Sequence, residues 1–246
     1  MKVYLAYSKS YEKILLDSGA KILYTYPGIG QALPTWELPD SDDLWIDSGG
    51  FQIGVGTNKY PVCVEGYTTW LHKVLARHGS RVTAYSCLDT LNAEETMKNY
   101  EYMISKGLQP VPVWKDGWPW EYLKKYCRRS ELIAFGGLVD KGRLPGRYYR
   151  QMLEQIQPEF PFNRFHMFGL GITSTVFNEV KPFSIDCSTW LEPVKRGSYV
   201  GIENGVLKEI VLSEANKLRM RYDKKFEAEQ LLQSIKAILT LEDEND

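Results

Sequence analysis

Three aspartates stand at the ends of short apolar runs, where a parallel sheet would bring their carboxylates together. They are Asp47, Asp89 and Asp186. Two carboxylates can divide nucleophilic attack and proton transfer between them, and a third can accept hydrogen bonds from a ligand edge. A strand-end aspartate can also simply cap the next helix. Three aspartates at one rim, two of them inside otherwise apolar runs, favour a catalytic site over helix capping.

Glycine-bearing turns follow three of the same apolar runs. They are Gly49-Gly50, Gly136-Gly137 and Gly169-Leu170-Gly171. Glycine lets a ligand approach the backbone closely. The sequence therefore predicts a cleft where acidic side chains and open turns meet.

Eight short apolar runs, several without alternation, predict strands buried on both faces. They cover residues 3–6, 22–26, 44–46, 82–87, 110–114, 132–135, 165–170 and 183–185. Helical patterns lie between and after them, at 11–18, 65–77, 93–105, 120–127, 148–157, 174–180, 206–222 and 226–241.

Alternating strands and helices predict an α/β fold, either a (β/α)8 TIM barrel or a doubly wound sheet. The count of eight favours the barrel, and Tyr7–Ser10 is not the glycine-rich phosphate loop of a doubly wound sheet. We expect one domain over 1–241, including the extra C-terminal helices, and a solvated acidic tail over 242–246. Active sites of such barrels lie at the C-terminal ends of the strands.

Composition is that of an ordinary globular chain. The 246 residues carry a net charge of −1, which permits polyanion binding without demanding it. The first residues do not resemble a signal peptide, and no apolar run approaches the ~20 residues of a membrane span. Four scattered cysteines suggest a reducing cytoplasm, and with three histidines they form none of the usual zinc spacings.

The segment Asp47–Gln52, DSGGFQ, resembles the hallmark of the tRNA-guanine transglycosylase superfamily. Four shorter matches follow in the family's order: CLDT at 87–90, FGGL at 135–138, FGLG at 168–171 and IDC at 185–187. Together they span most of the expected barrel. The resemblance implies a pentosyltransferase that exchanges guanine in a nucleic acid for another base.

The resemblance also implies roles for the three aspartates. Asp186 would be the nucleophile that traps the sugar as a covalent aspartyl intermediate. Asp47 would protonate the leaving base and deprotonate the incoming one. Asp89 would accept hydrogen bonds from the guanine N1–H and exocyclic amine.

Further residues would surround the base. Phe51 and Phe168 would stack on its two faces, with Phe168 in place of the family's usual Met. Lys115 stands where the family often has Gln, which puts that ligand contact in doubt. The complete substrate-binding set is Asp89, Ser48, Gly49, Gly50, Phe51, Gln52, Lys115, Gly136, Gly137, Leu138, Phe168 and Gly169.

One departure from the family concerns zinc. The tRNA enzymes carry a three-cysteine, one-histidine zinc site after the nucleophile, whereas here only Cys187 follows Asp186 and no histidine follows His166. The chain therefore resembles the zinc-free phage and bacterial DNA-guanine transglycosylases, which insert 7-deazaguanines such as preQ0. We expect DNA as the partner, no metal or cofactor, no membrane association, and a cytoplasmic location (the host's, if the chain is phage-encoded). A tRNA substrate is the alternative.

Phosphate contacts are expected from six basic residues near the predicted rim. They are Lys141, Arg143, Arg147, Arg150, Lys195 and Arg196. These cations would serve a flipped base or a single strand. A solvated charged face is the alternative for each group.

Two other functions fit parts of the pattern. A catalytically inactive base-binding barrel would need only Asp89 and the glycines, so the presence of both Asp47 and Asp186 argues against it. Metal-dependent hydrolysis would need histidine or paired carboxylate ligands, and the predicted rim carries no histidine. His166 lies inside a predicted strand, and we expect it to be a buried structural residue.

Overall fold

The eight apolar runs form one sheet of parallel strands. The computed structural model describes residues 1–26, 37–50, 62–137, 145–169 and 182–242. The strands are β1 (Lys2–Ala6), β2 (Lys21–Thr25), β3 (Leu44–Asp47), β4 (Val82–Tyr85), β5 (Val113–Lys115), β6 (Leu132–Gly136), β7 (Arg164–Met167) and β8 (Ser184–Cys187). Each predicted strand is confirmed, with ends that differ by up to three residues.

The sheet has the order β4-β3-β2-β1-β8-β7-β6-β5, and every pairing in it is parallel. This α/β fold is consistent with a TIM-like barrel, although the continuous ladder is not closed. The edge strands β4 and β5 meet just beyond the ladder, at an isolated parallel bridge between Ser86 and Val111. There the N–H of Cys87 donates to Val111 O, and the N–H of Val111 donates to Tyr85 O, each over 2.8 Å.

Side chains from strands that are not neighbours meet inside the curled sheet. Tyr4 on β1 lies edge-on to Trp45 on β3, with ring centroids 5.5 Å apart, and 6.1 Å from the ring of His166 on β7. All three side chains are almost completely buried. Because alternate residues of a strand face the same side, the residues two positions further along β3 and β7 also point inward.

Helices cover the sheet and extend past it. They are α1 (Glu12–Asp17), α2 (Val64–His78), α3 (Ala93–Ser105), α4 (Trp120–Cys127), α5 (Pro145–Ile156), α6 (Glu192–Lys195), α7 (Glu214–Tyr222) and α8 (Lys224–Leu239). The first five and α8 confirm predicted helices to within three residues, and the prediction over 174–180 lies outside the described residues. Within the described part of the chain, no helix is long and apolar enough to cross a membrane.

The helix predicted over 206–222 is wrong in its first third. Residues Val206–Val211 form a strand, β10, that pairs antiparallel with β9 (Ser198–Glu203). Asn204 and Gly205 make the turn with φ of 53° and 75°. Asn-Gly is the preferred pair for a two-residue hairpin turn because both positions require positive φ. Local turn chemistry therefore overrides the helical periodicity, and the helix begins only after Ser213, which caps α7.

The first residue of the predicted acidic tail, Glu242, is bonded to the fold and is not fully solvated. The Glu242 carboxylate accepts from the N–H of Val3 over 2.9 Å and pairs with Lys21 at 2.7 Å. It fastens the C-terminus to the N-terminal ends of β1 and β2. The remaining tail residues lie outside the described part of the chain.

Helix α8 covers the free edge of the hairpin. The Ser234 hydroxyl is fully buried, accepts from the N–H of Val200 over 3.0 Å, and donates to the carbonyl of Gln230 over 3.0 Å. The backbone N–H of an edge strand needs such a partner where water is excluded.

Replacing Ser234 with Ala is expected to lower the free energy of unfolding by about 1–3 kcal/mol, because the buried N–H of Val200 loses its acceptor. Urea denaturation measures the loss. The matched control is Ser105→Ala on α3, where an exposed hydroxyl bonds only to a carbonyl of its own helix; it should change stability by less than about 0.5 kcal/mol. Equal effects of the two substitutions would contradict this role for Ser234.

Candidate active site

Asp47 ends β3 and points into the sheet interior above Trp45, which lies two residues earlier on the same face. Burial is the main cause that raises the pKa of Asp47 to about 7, and the negative charges of Asp89 and Asp186 add to it. Hydrogen bonds from the Gly49 N–H, 3.2 Å from Oδ2, and from the Thr25 side chain oppose this shift only in part. At neutral pH the group can therefore both donate and accept a proton.

Ser48 and Gly50 join the end of β3 to Asp89. The Ser48 hydroxyl donates to Asp89 Oδ1 over 2.5 Å and accepts from the N–H of Gly50 over 3.2 Å. A Cβ at Gly50 would overlap the carboxylate and the backbone carbonyl of Asp89. Gly49 has a φ of 77°, a conformation that favours glycine. The Ser-Gly-Gly sequence therefore permits the close approach of the two strand ends.

Lys115 neutralises Asp89 from the end of β5. Its ammonium lies 2.8 Å from Asp89 Oδ2 and donates to the carbonyl of Thr90 over 2.7 Å. Both side chains are largely buried, with exposed fractions of 14% for Lys115 and 9% for Asp89. The stem of Lys115 runs beside Gly136 and Gly137, where an added Cβ would come within 3.5 Å of it. The lysine stem therefore packs against this turn, in which Gly137 has a φ of 77°, a conformation that favours glycine.

Asp186 lies on β8 and is held by the turn that follows β7. The N–H of Gly169 donates to Asp186 Oδ1 over 2.9 Å, and Gly169 has a φ of 67°. Phe168 lies edge-on to His166 and to Trp45, with centroid distances of 4.6 and 6.1 Å. The end of β7 is therefore packed against the aromatic side chains of the interior, and the turn after it binds Asp186.

His166 is a site residue that the sequence analysis treated as structural only. It is fully buried, and its Nε2 lies 3.7 Å from Asp186 Oδ1. Its ring stacks on Trp45 with centroids 4.0 Å apart. A signal was present in the sequence: His166 precedes Phe168 by two residues, so both face the same side of the strand.

Part of the predicted substrate-binding and phosphate-binding sets lies outside the described residues. Phe51, Gln52, Leu138, Lys141 and Arg143 lie outside the described residues, and so does the side chain of Arg147.

The remaining predicted phosphate contacts have a mixed outcome. Arg150 lies on α5 and is partly exposed. Lys195 pairs with Glu192 at 2.7 Å, and Arg196 pairs with Glu209 at 3.3 Å. Phosphates would have to replace these carboxylates for the two cations to bind DNA.

Other chemistries find less support among the described residues. There, no group of three or more His, Cys, Asp or Glu side chains is arranged to hold a metal ion. Cys187 follows Asp186 but is buried, and burial raises its pKa to about 12, so the unreactive thiol form dominates at neutral pH. The arrangement is suited to carboxylate chemistry: one group near neutrality for proton transfer, a second held by a backbone N–H, and a third paired with a lysine.

No protein-family model and no curated protein matches this chain.

Replacing Asp47 with Asn is expected to favour the folded state increasingly as the pH rises. The folded pKa of about 7 exceeds the ordinary value of 3.8, so between these values the folded carboxyl keeps a proton that the unfolded chain has lost. The stability gained from that proton is complete below the ordinary value and disappears as pH rises through the folded pKa. Relative to the parent, the variant should gain on the order of 2 kcal/mol between about pH 4 and pH 8, after allowance for partial exposure.

Urea denaturation across this pH range measures the difference. Carbon-13 NMR of the carboxyl groups supplies the control, since the resonance absent from the variant should titrate near pH 7. Titration of that resonance near the ordinary value would contradict the assignment.

Lys115→Met is expected to destabilise the protein by about 3 kcal/mol at neutral pH, because it leaves the buried Asp89 charge without its counterion. The double variant Lys115→Met/Asp89→Asn should recover much of this loss, since the uncompensated charge is gone. A double-mutant cycle by urea denaturation measures the coupling. Additive losses in the double variant would show that the two groups do not stabilise each other.

Proposed function

We propose that this protein is a guanine transglycosylase that replaces guanine in DNA with a 7-deazaguanine such as preQ0, through a covalent aspartyl–deoxyribose intermediate. The observation that carries the proposal is the grouping of Asp47, Asp89 and Asp186 at one end of the sheet, with the pKa of Asp47 raised to about 7. The resemblance of the DSGGFQ segment and its four ordered companions assigns these groups to base exchange.

The proposal includes a closed (β/α)8 barrel. Two features support closure: the bridge between Ser86 and Val111 joins the edge strands, and the rings of Tyr4, Trp45 and His166 meet across the interior. In a closed barrel the C-terminal strand ends form one mouth, which is where the three aspartates would act together.

In the first half-reaction, the Asp186 carboxylate attacks C1′ of the target deoxyguanosine. The C–O ester bond forms as the C1′–N9 bond breaks, and the bonding electron pair leaves on the guanine. Asp47 donates a proton to that base. A carboxyl group with a pKa near 7 holds a proton often enough at neutral pH to serve as this acid.

In the second half-reaction, the same group works in reverse. Asp47, now ionised, takes the N9 proton of the incoming 7-deazaguanine. The nitrogen then attacks C1′ as the ester bond breaks, and the electron pair returns to Asp186. No further reactant is required, because one base replaces the other.

Asp89 and Lys115 are suited to reading the base. Among the described residues, Asp89 Oδ1 accepts from Ser48 and Oδ2 pairs with Lys115, and a carboxylate oxygen can accept a second hydrogen bond. The guanine N1–H and exocyclic amine supply such donors. The buried Asp89 carboxylate would thus distinguish guanine from adenine, which lacks the N1–H.

DNA is the proposed polymer, and tRNA is the second candidate. The zinc-bound element of the tRNA enzymes needs three cysteines and a histidine after the nucleophile. This chain has one cysteine and no histidine there.

Label transfer tests the proposal. Radiolabelled guanine is incubated with the protein and with duplex DNA, single-stranded DNA or tRNA in parallel. We expect label to enter DNA, and expect Asp186→Ala to abolish both the exchange and a denaturation-resistant protein–DNA adduct. Asp47→Asn should bind DNA but not turn over. The matched control, Asp17→Asn on the exposed face of α1, should exchange like the parent.

The outcomes separate the candidate functions. Label in tRNA alone would move the activity to RNA and leave the aspartate roles in place. Base binding by every variant without label transfer to any polymer would favour the inactive binding barrel. Parent-like exchange by Asp186→Ala would remove that residue from the nucleophilic role.

A further inference from the structure

The histidine beneath the proposed nucleophile has one ring nitrogen without a hydrogen-bond partner in the described part of the chain. His166 Nδ1 lies 2.9 Å from the Ser184 hydroxyl, and both residues are completely buried. Its Nε2 is equally buried, makes no hydrogen bond with any of the described residues, and lies 3.7 Å from Asp186 Oδ1. A buried polar atom without a partner costs stability, so its direction toward the carboxylate calls for a functional reason.

The carboxylate determines which tautomer is favoured. If Nδ1 carried the proton, the Nε2 lone pair would face the negative oxygen, and the two would repel each other. If Nε2 carries the proton, its N–H lies beside Oδ1, where the negative charge of the carboxylate stabilises it, and the Ser184 hydroxyl donates to Nδ1. Serine can serve as donor or acceptor, so it permits either form and the charge of Asp186 selects the second.

We propose that His166 is a positioning residue, which as the neutral Nε2–H tautomer directs its N–H at Asp186 Oδ1 and so leaves Oδ2 as the attacking oxygen. This inference rests on the proposed function of Asp186. The N–H of Gly169 acts on the same oxygen, at 2.9 Å. Two donors thus converge on Oδ1 from β7 and the turn after it.

The arrangement gives the two oxygens separate tasks. As the Oδ2–C1′ bond forms and the C1′–N9 bond breaks, Oδ1 becomes the carbonyl oxygen of the ester and stays within reach of the Gly169 and His166 donors. When the incoming base displaces the ester, Oδ1 shares the returning negative charge and the same donors stabilise it. Donors fixed at the site of developing charge are a common source of catalytic power.

The surroundings keep the imidazole neutral. Burial lowers the pKa of His166, and the neighbouring Asp186 opposes this shift only in part. Among the described residues, the titratable groups that face the ring are Asp186 on β8 and Tyr4 on β1. Burial raises the pKa of Tyr4, which is therefore uncharged. The rings of Trp45 and Phe168 fill the other sides.

Nitrogen-15 NMR tests the tautomer without any substrate. The chain has three histidines, and His166→Gln identifies the resonances of interest. We expect a neutral Nε2–H imidazole at neutral pH, because burial lowers the pKa of His166. In Asp186→Ala the selecting charge is gone, and the Nδ1–H form should gain population. An Nδ1–H tautomer or an imidazolium in the parent protein would overturn the proposal.

A pair of variants tests the effect on chemistry. His166→Gln keeps an N–H donor near the position of Nε2, whereas His166→Asn carries its amide near Nδ1, beside Ser184. Both variants lose the ring that stacks on Trp45, so a difference in rate between them reports the N–H donor at the position of Nε2. We expect Asn to slow the displacement of the covalent ester by the incoming base about 10- to 100-fold with unchanged KM for DNA, and Gln to restore at least tenfold of that loss.

Thermal unfolding of both variants controls for a general loss of structure. Equal losses in Gln and Asn, or a change confined to KM, would show that His166 only fills space. If the parent exchanges no base with any polymer, the proposed function fails. The tautomer measurement then decides alone whether the His166 N–H is directed at Asp186.

Discussion

The curl of the parallel sheet is the constraint on which the site depends. Strands β1, β3 and β7 are not neighbours in the ladder, yet the rings of Tyr4, Trp45 and His166 are in contact because the sheet encloses them. The same curl carries Asp47 and Asp186 toward each other, close enough for the charge of one to raise the pKa of the other. A flat sheet of the same order would separate these carboxylates by the width of several strands.

Grouped carboxylates repel, and the three aspartates of the site differ in how that repulsion is offset. Asp89 is neutralised by Lys115 and bonded to Ser48. Asp186 accepts the N–H of Gly169. Asp47 has no comparable cation partner among the described residues, and its pKa is raised. The like-charge repulsion therefore helps to raise the pKa of Asp47 above that of an ordinary carboxyl group. General acid–base catalysis requires a carboxyl group whose pKa is shifted in this way.

The sequence predicted what depends on local pattern and missed what depends on contacts distant along the chain. Continuous apolar runs identified all eight strands of the sheet, and the residues that end those runs are those that meet at the candidate site. The helical spacing of residues 206–222 predicts a helix, but the Asn204–Gly205 turn pairs the first six of them with β9 as a strand. The sequence predicts a solvated Glu242 because its partner, Lys21, lies 221 residues away along the chain.

His166 shows a different limit. A histidine inside an apolar run most often packs in a core, and this one does so; its full burial is not in conflict with a role at the site. What the sequence could not give is the neighbour, because pairing β7 with β8 places Ser184 opposite His166 in register. The alternation of the strands then orders the interior in layers. Trp45, His166 and Ser184 form the lower layer, two residues below Asp47, Phe168 and Asp186. Each rim residue therefore lies above a buried side chain of its own strand, and close packing in the lower layer limits how far the carboxylates above it can move.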